Sequence, residues 1–94
     1  MTTTTSESIR VVAFREGDMW VAQCLEHDIS AQGCDFQTAM RRLTATVNCE
    51  SQYTLKNHGA EFATIDPAPE VFFAMFDAAG DSLRADNMEY KIAA

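Results

Sequence analysis

One stretch of this chain, residues 19–25, limits the possible fold more than any other. It reads Met-Trp-Val-Ala-Gln-Cys-Leu, so Gln23 is its one polar residue. The stretch has the length of a strand and is far too short to cross a bilayer. Because successive strand residues point to opposite faces, a strand without a polar face must be covered on both sides. We therefore predict a central strand with other elements packed on each face.

Two further strands are predicted on either side of this one along the chain. Residues 8–14 alternate in the manner of a strand, and residues 16–18 are polar with a glycine, which suits a tight hairpin turn. Residues 29–32 predict a short third strand, and Gly33 after it is expected to free the backbone for a turn. The short connections favour antiparallel pairing.

A long amphipathic helix is predicted next. Asp35 is a good N-cap, because its carboxylate can accept the unpaired N–H groups of the first helical turn. The helix is expected to run to about residue 57, with Gly59 as the C′ residue. Its apolar residues recur at helical spacing: Phe36, Ala39, Met40, Leu43 and Val47. Arg41 and Arg42 fall on the outer side, and we expect a solvated helix face there.

The remaining third of the chain predicts one more helix and one more strand. The helix is expected to open near Pro67 or Pro69 and to close at Gly80. Residues 88–92 alternate as a one-faced strand. The predicted fold class is therefore α+β, in the order β-β-β-α-α-β. An antiparallel sheet of three to four strands packs against one long helix, with a second short helix. Residues 8–94 form this single domain, after a disordered leader at residues 1–7.

Charge limits the partners that this chain can bind. It has 14 acidic and seven basic residues, a net charge of -7, and residues 60–94 hold seven of the acids against two bases. Such a field repels phosphate backbones, so we expect no nucleic acid partner, and it attracts a basic protein. No apolar run is long enough for a membrane partner. The amino terminus lacks the parts of a signal peptide, so we expect a cytoplasmic location.

The cysteines do not indicate a disulfide framework or a metal site. Their number is three, with no Cys-x-x-Cys pair, which indicates reduced thiols. Cys24, His27 and Cys34 could be joined by Cys49 or His58 as zinc ligands, but structural zinc sites normally show paired short spacings. We expect Cys24 and Cys34 to pack as small hydrophobes. No metal and no cofactor is predicted.

Residues 20–33, followed by the cap Asp35 and the early helical alanine Ala39, resemble the HicB-like antitoxin family. The resemblance lies in the order of features: an aromatic-centred strand at Trp20, a polar turn, a short strand ending in Gln32-Gly33, and a capped helix. It covers about residues 9–47. It implies a small β-β-β-α-β unit, a partial ribonuclease-H-like fold without catalytic function.

The resemblance also implies a partner. Many members of this family bind and mask a small, basic, RNA-cleaving toxin, and many carry a carboxy-terminal DNA-binding module. Residues 60–94 are acidic and look unlike a DNA reader, which needs bases facing phosphate. We therefore expect a solitary domain without the DNA-binding module.

Two groups of residues are candidate sites. Glu26, His27 and Asp28 combine acid and imidazole groups, but the chain offers no evident nucleophile or oxyanion hole, so we predict no catalytic residue and assign this turn to partner binding. A homo-oligomer, a dimer or a tetramer, is predicted from an excess of aromatic residues over what one face must bury. The expected interface residues are Trp20, Phe72, Phe73 and Phe76.

A rival hypothesis remains open. The chain could be an oligomeric regulatory domain that binds a small ligand, in a groove between subunits lined by the aromatic residues.

Overall fold

The computed structural model describes residues 7–85 and 87–93 of the 94-residue chain. The predicted leader, residues 1–7, lies outside this part except for Glu7. The described residues form five strands and two helices: β1 (Ile9–Glu16), β2 (Met19–Cys24), β3 (Ser30–Gly33), α1 (Phe36–His58), α2 (Glu70–Ala78), β4 (Leu83–Ala85) and β5 (Met88–Ile92). The α+β class is confirmed, and the predicted elements lie within a few residues of the observed ones.

The sheet corrects the predicted topology. Its strand order is β3-β2-β1-β5-β4, so the described residues contain one strand more than the maximum of four predicted. β1 pairs with β5 in parallel, with Val11 opposite Tyr90, while the other neighbouring pairs are antiparallel. The sheet is therefore mixed, because the two helices carry the chain back across it before β5. β4 was missed because three residues are too few to show a periodic pattern, and all three are exposed.

The ends of α1 agree with the prediction. The Asp35 carboxylate accepts a hydrogen bond from the Thr38 N–H at 2.7 Å, and this bond lowers the pKa of Asp35. Gly59 closes the helix in the left-handed conformation, with φ of 85°, and its N–H donates to the Leu55 carbonyl. Both ends depend on residues close together in sequence.

Helices cover both faces of the sheet, as the doubly apolar second strand required. On one face α1 encloses the larger core, whose buried members are Ile9, Val11, Ala22, Cys24, Ile29, Ala39, Leu43, Val47, Phe62 and Met88. On the other face α2 brings Phe76 against Val12 and Leu25. Gln23, the polar residue of β2, is buried, and its amide donates to the Cys24 carbonyl at 2.9 Å.

The connection between the helices folds back on α1. The Phe62 N–H donates to the buried hydroxyl of Thr54 at 2.6 Å, and Phe62 adopts a positive φ of 58°. The Ser51 hydroxyl donates to the Glu61 carboxylate nearby. These bonds place the Phe62 ring in the core and direct the following residues toward the end of the sheet. α2 then begins after Pro69, close to the predicted opening.

Neither helix of the described residues combines the length and the apolar character needed to cross a membrane.

Candidate functional site

The predicted partner-binding turn joins β2 to β3 and is called here the 26–28 loop. It consists of Glu26, His27 and Asp28. The loop turns tightly, because the Cys24 N–H donates to the Ile29 carbonyl at 2.9 Å. The Leu25 N–H donates to the Arg10 carbonyl at 2.9 Å, so the loop is also tied to the start of β1. These bonds hold the loop at one end of the sheet.

Glu26 faces the α2 side of the sheet. Its carboxylate accepts hydrogen bonds from the Arg10 backbone N–H at 2.8 Å and from Arg10 Nε at 2.6 Å. The guanidinium carbon of Arg10 lies 5.3 Å from the ring centre of Phe73 and 5.7 Å from that of Phe76. The Arg10 guanidinium is therefore held between a carboxylate and two aromatic rings, an arrangement that favours a cation.

His27 faces the opposite side of the sheet, toward α1. Its ring is stacked on Phe62, with ring centroids 3.9 Å apart. Nε2 lies 2.9 Å from a Glu7 carboxylate oxygen, and a proton on Nε2 makes this contact a hydrogen bond. Nδ1 is buried and has no hydrogen-bond partner among the described residues. With 13% of its side chain exposed, His27 is mainly a packed residue.

Asp28 is the exposed member of the loop. Its carboxylate accepts a hydrogen bond from the Gln23 amide at 3.1 Å, and its N–H donates to the Asp66 carbonyl at 2.7 Å. Asp66 is also exposed, so this backbone contact brings together two exposed acidic residues that are 38 positions apart in sequence. Sequence reasoning did not identify Asp66 as a site residue, because no local pattern links residue 66 to the loop.

We call this region the acidic end of the sheet. It comprises the carboxylates of Glu7, Glu26, Asp28 and Asp66. Arg10 is a cation within it, and it is already paired with Glu26. The acidic end therefore carries a net negative charge, and backbone hydrogen bonds hold the 26–28 loop that forms part of it.

Acid–base chemistry would need the groups of the 26–28 loop to converge. Glu26 and His27 instead contact opposite faces of the sheet, the first through Arg10 and the second through Phe62. General acid–base catalysis requires both groups within hydrogen-bond reach of one reacting atom. Glu26 and His27 are instead arranged so that their contacts support the loop.

The three cysteine thiols differ in burial. Cys24 is buried, and this burial raises its pKa to about 11. Cys34 and Cys49 are exposed, so the prediction that Cys34 packs as a small hydrophobe is wrong. Cys34 follows β3 directly and is exposed, whereas the preceding residue, Gly33, is buried. Among the described residues, no group of three or more His, Cys, Asp or Glu side chains is placed to hold a metal ion.

The predicted interface residues lie in two different environments. Trp20 is half-buried against Phe36, with ring centroids 5.6 Å apart. Phe72 stacks on Phe14 with a centroid distance of 6.0 Å. Phe73 is half-buried under the Arg10 guanidinium. Phe76 is 5% exposed, so it offers almost no surface to another subunit.

Apolar surface remains near these aromatic residues. Val71 on α2 is 58% exposed. At the end of the sheet opposite the 26–28 loop, a groove of about 450 Å³ is lined by Phe14, Arg15, Trp20, Met75, Ile92 and Ala93. This groove involves Trp20 but none of the three phenylalanines of α2.

A second groove lies between α1 and β5 and is called here the α1–β5 groove. Its volume is about 300 Å³. Sequence reasoning missed it, because its walls come from residues more than 35 positions apart. The helical spacing of Phe36 and Met40 was visible in the sequence, but it indicated only a core-facing stripe.

Comparisons of the chain with protein-family models, with curated proteins and with solved structures gave no match.

Proposed function

We propose that this protein is a non-catalytic, antitoxin-like interaction module that binds a small basic protein through the acidic end of the sheet. The observation that carries the proposal is the backbone hydrogen bond from Asp28 to Asp66, which brings two exposed acidic residues together at one end of the sheet. An RNA-cleaving toxin is the partner that the HicB-like resemblance suggests. A basic protein would be drawn to this surface, because complementary charge speeds encounter and selects the partner.

The rigidity of the acidic end supports binding. Gln23 holds the Asp28 carboxylate, and Asp66 holds the Asp28 backbone. A surface that is already ordered loses little conformational entropy on association, so more of the contact energy appears as affinity. The Asp28 carboxylate and the backbone of both residues are thus held before a partner arrives.

We also propose the HicB-like, partial ribonuclease-H-like assignment for the fold. The family unit is β-β-β-α-β. Here β1, β2, β3 and α1 follow that order, and β5 then joins the sheet beside β1. α2 and β4 stand as additions between α1 and β5. The element order supports the proposal, and the pairing of β1 with β5 is the feature that a related structure should share.

Homo-oligomerisation is a further part of the proposal. Exposed apolar side chains support it: Met19, Val71, Leu83 and Ile92 are each at least 36% exposed. The groove lined by Trp20 lies close to Ile92. An apolar surface of this kind is commonly covered by another subunit. A monomer by light scattering at micromolar concentration would contradict this part.

A cytoplasmic location belongs to the same proposal. The three cysteines are free, as expected in a reducing compartment.

The test has two stages. The tagged protein is first captured from its native cells at low salt, and a basic protein that co-purifies in stoichiometric amount is identified by mass spectrometry. The purified pair is then titrated at several salt concentrations. Affinity should fall as salt rises, because the charges of the acidic end are near the surface and are screened.

The second stage compares two double variants of equal charge change. Asp28→Asn with Asp66→Asn keeps the side-chain size and one acceptor oxygen at each position, and it removes two charges at the acidic end. Asp77→Asn with Asp81→Asn removes two exposed charges elsewhere. We expect the first to weaken binding roughly tenfold and the second by less than about twofold. Equal losses, or no basic partner at any salt, would overturn the proposal.

A further inference from the structure

We infer that the α1–β5 groove is a binding site for a small carboxylate with an apolar body, such as a single ring or a short chain. The inference goes beyond the proposed partner and does not depend on it. The volume of the α1–β5 groove, about 300 Å³, lies at the lower end of the range for ligand pockets.

The floor of the groove is apolar. It is formed by Phe36 and Met40 from α1 and by Met88 and Tyr90 from β5. The rings of Phe36 and Tyr90, which both line the groove, are tilted against each other with centroids 5.8 Å apart. Met88 is 6% exposed and belongs to the core, so the floor is firmly supported. Methionine side chains adapt to the shape of a bound apolar group.

The rim of the groove is polar. Gln37, Arg41, Thr44 and Asn48 line it from α1, three or four positions apart, so they form one ridge along the helix. Asn87 lines the facing side. A site with an apolar floor and a few polar groups at its edge binds amphipathic ligands in one orientation.

Arg41 selects the charge of the ligand. Among the described residues no carboxylate oxygen lies within 4.0 Å of its side-chain nitrogens. Its charge contributes to the lowered pKa of Asp35, but less than the Thr38 N–H does. A guanidinium at a groove rim matches a carboxylate through two parallel hydrogen bonds.

Arg42 makes the contrast clear. It follows Arg41 in sequence, yet its Nη1 donates to the Gln32 carbonyl at 2.9 Å, and it does not line the groove. The two arginines, which the sequence assigned alike to a solvated face, therefore differ. Arg42 ties α1 to β3, while Arg41 faces the groove with donors to offer.

The test is a nuclear magnetic resonance titration of the full chain with 3-phenylpropionate. The matched neutral compound is 3-phenylpropanamide, which has the same ring and chain without the charge. We expect saturable shifts of backbone amides in residues 36–48 and 87–90, with a Kd of roughly 1 mM or tighter for the carboxylate. The amide should bind more weakly at the same residues.

Two matched arginine variants test whether Arg41 is the cation that binds the carboxylate. Arg41→Gln should weaken carboxylate binding about tenfold and leave the amide unchanged, since a charge-assisted hydrogen bond is lost. Arg42→Gln should leave both ligands within about twofold of wild type. The double variant Asp28→Asn with Asp66→Asn should bind the carboxylate as wild type does, which separates this site from the proposed partner surface.

Three results would overturn the inference. The first is no saturable shift in residues 36–48 or 87–90 up to roughly 10 mM ligand. The second is equal affinity for the carboxylate and the amide. The third is a set of shifts in these residues that depends on protein concentration alone, because the groove would then be filled by a second copy of the chain.

Discussion

The imidazole of His27 lies almost flat on the ring of Phe62, with a centroid distance of 3.9 Å and an angle of 17° between the planes. This contact joins the 26–28 loop to the segment that follows α1. Phe62 is itself placed by the Thr54 hydroxyl, which accepts the Phe62 N–H. His27 therefore links three parts of the chain, and we interpret it as support for the acidic end rather than as a reactive group.

The two histidines of the chain provide a direct test of that interpretation. His27→Ala should lower the free energy of unfolding by about 2 kcal/mol, because it removes a buried ring stack and the contact with Glu7. His58→Ala is the matched control, since His58 is exposed at the end of α1, and it should change stability by no more than about 0.5 kcal/mol. Urea unfolding followed by circular dichroism measures both. Similar losses for the two variants would refute the packing role of His27.

A glycine pair tests the close contact between β3 and α1. A Cβ on Gly33 would lie 2.6 Å from the Ala39 nitrogen and 2.9 Å from Thr38 Cβ, so Gly33→Ala should destabilise the protein by about 1–3 kcal/mol. Gly80→Ala is the control, because a Cβ there meets nothing within 4 Å. It should be neutral or stabilising by about 0.5 kcal/mol. The denaturation midpoints of the two variants measure these changes in stability. A wild-type midpoint for Gly33→Ala would show that α1 can shift away from the added methyl group.

The cysteines should differ in reactivity. Only the thiolate attacks a disulfide reagent, and burial raises the pKa of Cys24 to about 11, so this thiol is both shielded and protonated near neutral pH. At about pH 8, Ellman's reagent should label Cys34 and Cys49 in the folded protein and Cys24 only after unfolding in urea. Cys24→Ala should remove only the labelling that requires unfolding in urea. Rapid labelling of all three thiols would show that the larger core opens readily.

Gly33 was correctly predicted to lie at the end of β3, but the reason predicted for a glycine there was incomplete. The sequence predicted a glycine that frees a turn, but the positive-φ glycines among the described residues are Gly17 and Gly59. Gly33 is needed because the backbone of α1 approaches it closely. A glycine required by packing and a glycine required by a turn look the same in sequence, since both are residues without a side chain.

The candidate site was predictable in part. Glu26, His27 and Asp28 were identified as a polar bend, and the bend is there. Asp66 was not identified, and the opposite directions of Glu26 and His27 are set by partners 16 and 35 positions away. The choice of Phe76 for an interface failed to foresee that it fills the smaller core beside Val12. Three phenylalanines on a short helix do not reveal which of them points to the sheet.

The sequence by itself determined the local elements of this protein: the ends of α1, the hairpin of β1 and β2, the alternating β5, and the need for cover on both faces. Capping and side-chain periodicity act between residues a few positions apart, so they can be predicted from the sequence. Only the tertiary structure decided that β5 lies parallel to β1, that Asp66 joins the acidic end, and that Arg41 lines a groove facing Met88. These relationships depend on contacts between distant segments, whose partners are chosen by the packing of the whole domain.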